Sequence, residues 1–204
     1  MDGPFALVIA AAGGYLVGSI PFGLLLTRLA GLGDIRAIGS GNIGATNVLR
    51  TGNRWLAALT LLLDIGKGWA AVAAVGRDWG FLGPLDAGLI AGMAAVVGHN
   101  FPLWLKFNGG KGVATTLGVL FGALAPVGAA AGAVWLLVAG TLRYSSLASM
   151  AAMAAAPFVA YWLGATPVAL AAAALALLVI VRHHANVERL VKGSEPKIGA
   201  SDDG

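Results

Sequence analysis

The 204-residue chain is 58% hydrophobic and only 11% charged, with a mean hydropathy of +0.84. A soluble domain carries about 25% charged residues and a disordered one is polar throughout, so the composition excludes both and marks an integral membrane protein. Cysteine is absent, which removes disulfides, Cys-ligated zinc, iron–sulfur clusters and thiol nucleophiles together.

A spanning helix takes roughly 20 apolar residues. In chain order, residues 5–29 are predicted as the first span, 55–75 as the second and 85–105 as the third. The apolar run from 113 to 142 is too long for one crossing and carries Pro126, so it is divided into a short fourth helix, 113–125, and a fifth, 126–142. Residues 147–163 and 166–181 make the sixth and seventh. The expected fold is thus all-α, a single seven-helix transmembrane domain over 1–204, with a frayed polar tail after about 193. The 31 glycines suit it, because small residues let membrane helices approach closely.

The net charge of +4 is informative through its distribution. With seven spans, Arg28, Arg36, Arg50, Arg54, Lys106, Lys111, Arg143, Arg182, Arg189, Lys192 and Lys197 share one side. Arg77 alone falls opposite, beside Asp2, Asp78 and Asp86, while Lys67 lies within a span. The positive-inside rule then places the N-terminus outside and the C-terminus in the cytoplasm. Fusing the fourth and fifth helices would put Arg143 and the basic tail outside. Met-Asp-Gly-Pro carries no positive charge, so the first span reads as an uncleaved anchor.

Polar sequence gathers on the cytoplasmic side, where functional loops are expected. The first loop holds Gly39-Ser-Gly-Asn-Ile-Gly44, formally a dinucleotide fingerprint, but no strand precedes it and no βαβ unit surrounds it. Its glycines still permit an anion-binding nest of backbone N–H groups. Ser40, Gly41, Asn42, Gly44, Thr46 and Asn47 add donors, and Arg36 and Arg50 add charge. The plain alternative is a flexible linker, which rarely holds donors so densely.

Asn108-Gly-Gly-Lys-Gly112 lacks the glycine spacing and the Ser or Thr of a Walker loop. Gly109, Gly110 and Lys111 nonetheless open a helix at Val113, where unpaired N–H groups and a mobile cation suit a phosphate. A topological lysine is the alternative. At the last helix, His183 and Asn186 share a face, flanked by Arg182, Glu188 and Arg189, with His184 one position off it. A basic helix end at headgroup level would read the same way. His99 is either a core hydrogen bonder or a catalytic group. Asp64 and Lys67, three residues apart in mid-span, read as a structural ion pair, a substrate contact or part of an ion path.

These segments together resemble the PlsY family of bacterial acyl-phosphate:glycerol-3-phosphate acyltransferases. The resemblance runs from Gly18-Ser-Ile-Pro-Phe-Gly23 through Gly39–Asn47, Leu63-Asp-Ile-Gly-Lys-Gly68, Gly98-His-Asn-Phe-Pro102 and Gly109-Gly-Lys-Gly112. It ends in Arg182-His-His-Ala-Asn186, Glu188-Arg-Leu190 and Gly193-Ser-Glu-Pro-Lys197. It implies a seven-helix enzyme of the bacterial inner membrane that makes lysophosphatidic acid at its cytoplasmic face, without metal or nucleotide cofactor. The implied catalytic residues are His183 and Asn186, and the implied substrate contacts extend to Ser146, Ser149 and Glu188. Expected partners are acyl phosphate, glycerol 3-phosphate, membrane lipid and the soluble enzyme that produces the acyl phosphate, with no nucleic acid.

The residues agree with this reading. Two basic, glycine-rich anion sites match two substrate phosphates. Neither a cysteine nor a G-x-S-x-G elbow signals a covalent nucleophile, which leaves direct displacement. Either His183 or a substrate phosphate takes the proton of the attacking hydroxyl. A transporter of a phosphorylated anion is the rival reading, supported by Asp64 and Lys67 but lacking inverted repeats. A purely structural membrane subunit leaves the dense loop donors unexplained.

Overall fold

The computed structural model describes residues 4–75, 81–82 and 85–199; Asp2, Arg77 and Asp78, assigned above to the outer side, lie outside them. The helices are α1 (Pro4–Gly18), α2 (Phe22–Leu29), α3 (Ala45–Leu49), α4 (Arg54–Val75), α5 (Ala87–Asn100), α6 (Val113–Ala123), α7 (Ala125–Leu142), α8 (Ser145–Trp162), α9 (Thr166–Arg182) and α10 (His184–Val191). A two-residue antiparallel ladder, pairing Phe81 with Asp86 and Leu82 with Leu85, is a small departure from an all-helical chain. Phe5–Leu29, Arg54–Val75, Ala87–Leu105 and Ala125–Leu142 are long and apolar enough to cross a membrane. The bent pair of α9 and α10 makes a fifth candidate.

Several helix ends differ from expectation for local reasons. The first span is broken at 19–21, because Pro21 offers no N–H and disfavours a helical residue before it. The carbonyls released by the break are used: Ser19 O accepts from the Trp104 indole at 2.8 Å and Ile20 O from Lys67 Nζ at 2.9 Å. Helix α5 stops at Asn100, ahead of Pro102, so the end of the expected third span is a single 3₁₀ turn, Leu103–Leu105. The division of the 113–142 run holds, with Leu124 extended at φ −157° between α6 and α7. Pro126 is tolerated in the first turn of α7, where its missing N–H has no helical acceptor anyway.

The chain divides into two compact units, Met1–Ala125 and Pro126–Gly204. In the first, α1 packs on α5 and α4 on α5 and α6. Small residues make this possible: a Cβ on Gly14 or Gly18 would run into the α5 backbone at Ala91 and Ala95, and one on Gly118 into the α4 backbone at Ile65. In the second unit, α8 packs on α9. Two expectations are corrected there. The tail is not frayed through 198, since Ile198 N donates to Arg143 O at 2.7 Å and Arg143 Nη2 returns a bond to Ile198 O at 2.9 Å. Nor is the last helix continuous: α9 ends at Arg182 and α10 leaves at a 60° bend, with His183 as the hinge.

Candidate active site

In the first unit, the loop between α2 and α4 is built around Asn47, which is only 2% exposed. Its Nδ2 donates to Ile35 O, Ile38 O and Asn42 O at 2.9, 3.2 and 2.8 Å, and its Oδ1 accepts from Ser40 N at 3.0 Å. Asn42 Oδ1 accepts from Gly44 N at 2.8 Å, forming a second local turn. Gly39 and Gly41 have φ of +54° and +66°, the left-handed values a nest requires. Arg50 lies over Gly39 so closely that a Cβ there would meet its guanidinium. Of the two asparagines expected among the phosphate contacts, Asn47 has its amide bonded within the loop, and Asn42 holds Gly44 N through Oδ1 alone. Ser40, Gly41, Thr46 and Arg50 form its exposed rim.

Arg36 is committed elsewhere. It forms an ion pair with Asp34 at 2.6 Å, and Arg28 reaches the same carboxylate at 2.8 Å. The hydrogen bond from the Arg36 side chain, opposed by burial and assisted by the Arg36 backbone and by Arg28, holds the Asp34 carboxyl well below the usual carboxylate range.

The second loop is fastened to the end of α5. Gly110 N donates to His99 O at 2.9 Å and Gly109 N to Asn100 O at 3.1 Å. Just before them, Lys106 and Phe107 take consecutive left-handed conformations, φ +51° and +61°, which are costly for non-glycine residues. Gly112, at φ +84°, caps the start of α6, so Lys111 sits half-buried at a helix N-terminus. The Asn100 amide is fully buried beside Gly112, and neither of its polar atoms has a hydrogen-bond partner. The Asp64–Lys67 pair is present at 2.6 Å and joined by His99, whose Nδ1 lies 2.8 Å from Lys67 Nζ.

In the second unit, His183 is 3% exposed and its Nδ1 lies 2.7 Å from Val179 O. A carbonyl only accepts, so Nδ1 carries a proton and Nε2 is the ring nitrogen turned away from the backbone bond. Asn186 is buried and donates to Glu195 Oε1 at 2.7 Å. Ser146 Oγ donates to the same oxygen at 2.6 Å, and Arg189 Nε to Oε2 at 2.7 Å. Ser149 accepts from the Trp135 indole of α7 at 3.1 Å and donates to Ser145 O of its own helix at 2.7 Å. Glu188 points away, paired at 2.6 Å with Lys192 on the exposed side of α10, and His184 is also exposed.

Glu195 is the organising group that sequence reasoning passed over. Burial opposes its ionisation, but hydrogen bonds from Ser146, Asn186 and Arg189 outweigh that and hold the carboxyl below its ordinary value. Its stabilising effect is therefore complete above the usual glutamate range and is lost as pH falls through the lowered folded-state value. Glu195→Ala is expected to destabilise the protein by about 3 kcal/mol, since charge-assisted bonds are the strong ones. Thermal unfolding in detergent checks this. An unchanged melting temperature would show the cluster to be incidental.

The family model described as "Glycerol-3-phosphate acyltransferase" matches residues 8–193. That match spans most of the chain. The chain belongs to the glycerol-3-phosphate acyltransferase family. Among curated relatives, the "Glycerol-3-phosphate acyltransferase" of Rhodospirillum rubrum is 58% identical over 198 residues, covering 95% of this chain and 92% of the relative. That of Maricaulis maris is 60% identical over 190 residues, covering 93% and 86%. Crystal structures of PlsY (YgiH), an integral membrane glycerol 3-phosphate acyltransferase, superpose with TM-scores of 0.88 for the glycerol 3-phosphate form and 0.86 for the lysophosphatidic acid form. Sequence identities to these are 36% and 35%, with 95% of this chain covered by each. With its apolar helices, this family member is a multi-pass membrane protein and an acyltransferase.

Proposed function

We propose that the protein transfers a fatty acyl group from an acyl phosphate to the 1-hydroxyl of glycerol 3-phosphate, releasing lysophosphatidic acid and inorganic phosphate. The supporting observation is the pair of pre-shaped anion loops in the first unit, one rimmed by Arg50 and one carrying Lys111 at the α6 N-terminus. Two phosphates, one on the acceptor and one leaving the donor, need two such sites. The glycerol 3-phosphate and lysophosphatidic acid forms of the similar PlsY supply the acceptor and product by likeness.

The transfer is a single displacement. The acceptor hydroxyl attacks the acyl carbonyl, the carbonyl–oxygen bond to phosphate breaks, and the phosphate leaves with that electron pair. His183 Nε2, turned away from the Nδ1–Val179 bond, orients the hydroxyl and takes its proton. Asn186, held by Glu195, is the neighbouring positioning group. Gly109, Gly110 and Lys111 stabilise charge on a phosphate, as do Ser40, Gly41 and Arg50; Asn42, Gly44 and Asn47 shape their loop, and Ser146 reaches the site through Glu195. In this reading the chain is one functional domain spanning the bacterial inner membrane seven times, N-terminus outside, with its chemistry at the cytoplasmic face.

The mixed anhydride is an activated donor, which suits a chain without cysteine or an evident serine nucleophile. It is also amphipathic, so its chain can stay in the bilayer while its phosphate meets the loops. Purified protein with glycerol 3-phosphate is expected to form lysophosphatidic acid from palmitoyl phosphate and none from palmitoyl-coenzyme A. Turnover with the thioester alone would overturn the donor assignment.

A further inference from the structure

Asp64 and Lys67 lie one turn apart on α4, each with a side chain only 2% exposed. Taking two charges out of water costs several kcal/mol per ion, and an apolar pair of similar volume often serves a core as well or better. The pair therefore needs a use beyond stability, and its surroundings supply one. Lys67 Nζ has three close partners: Asp64 Oδ1 at 2.6 Å, Ile20 O at 2.9 Å in the α1–α2 break, and His99 Nδ1 at 2.8 Å. The Phe22 ring lies 5.6 Å away.

His99 Nδ1 thus sits between Lys67 Nζ at 2.8 Å and Asp64 Oδ1 at 3.6 Å, which leaves Nε2 as the outward edge of the ring. That edge of the ring faces Gly110, where a Cβ would fall on the imidazole. The His99 backbone holds the same residue, accepting from Gly110 N at 2.9 Å. A continuous set of contacts thus runs from the Asp64 carboxylate through Lys67 and His99 to the loop that presents Lys111. None of the three side chains reaches the surface.

We propose that Asp64, Lys67 and His99 are positioning residues that lock the Gly109–Lys111 loop in the shape that receives a phosphate. The inference rests on the reading of that loop as a substrate site. Its mechanism is preorganisation: the loop's donors are fixed before substrate arrives, so binding does not have to order them. A displacement of about 1 Å in a binding group, caused by a change away from the chemistry, can cost about a hundredfold.

The test is a double-mutant cycle on the purified protein, reading kcat and the KM for glycerol 3-phosphate in wild type, His99→Gln, Lys111→Ala and the double variant. His99→Gln is expected to lower kcat/KM by about tenfold on its own, and by less than about twofold where Lys111 is already absent. The same factor in both backgrounds, or no effect in either, would overturn the positioning role. A silent Lys111→Ala would instead overturn the underlying assignment of the loop. If His99→Gln does not purify as a monodisperse protein, Asp64→Asn/Lys67→Met, which removes both charges together, takes its place with the same two outcomes.

Discussion

Lys111→Ala is expected to lower kcat/KM by on the order of 10²-fold or more while leaving the protein folded. The side chain is half-buried at the N-terminus of α6, behind Gly109 and Gly110, where the helix dipole and its own charge act in the same direction. Charge on the departing phosphate rises toward the transition state, so a fixed cation there counts for more in the transition state than in the ground state. Lys111→Arg is expected to restore only part of the loss, because a planar fork does not occupy the place of a compact ammonium. Steady-state kinetics with a melting curve on each variant checks both points. Near-wild-type rates in a well-folded Lys111→Ala protein would leave Lys111 as a topological charge only.

His183→Ala and Asn186→Ala are both expected to be severe, about 10²-fold or more in kcat for the histidine, while His184→Ala stays within about twofold. The two sensitive residues are buried at the bend between α9 and α10, the first bonded to Val179 O and the second to Glu195. His184 is exposed, with its Nδ1 3.1 Å from Val181 O at the end of α9. Rates at saturating substrate separate the three. A sensitive His184 with a tolerant His183 would mean that the wrong imidazole has been assigned to the hydroxyl.

Much of this architecture is legible in the chain because apolar runs and helix breakers coincide. Val113 was expected to open a helix and does, and the break expected near Pro126 falls at Leu124. The bend at His183 was not legible, since Arg182-His-His-Ala contains neither glycine nor proline to announce it. The break inside the first span was hidden for the opposite reason: Pro21 lies in a run so apolar that hydropathy carries across it.

The site follows the same division. Glycine and lysine at a helix start announce an anion loop locally. Asn47 looked like one more loop donor, and only the fold shows its amide spent on Ile35, Ile38 and Asn42. Glu195, in the tail, stood out by no spacing of its own because its partners come from α8 and α10. His99 likewise meets Lys67 from another helix. Long-range pairing of this kind has no periodicity to read. Glu188, the acid the motif brought forward, is the exposed one.

Direct transfer without an acyl-enzyme is tested by isotope exchange in the absence of acceptor. Purified protein is incubated with palmitoyl phosphate and labelled inorganic phosphate, with no glycerol 3-phosphate present, and the label in recovered palmitoyl phosphate is followed. Direct displacement predicts none above the uncatalysed background, with lysophosphatidic acid forming as soon as glycerol 3-phosphate is added. Exchange at a rate comparable to turnover would require a covalent acyl-enzyme that returns its acyl group to phosphate, and would contradict the mechanism.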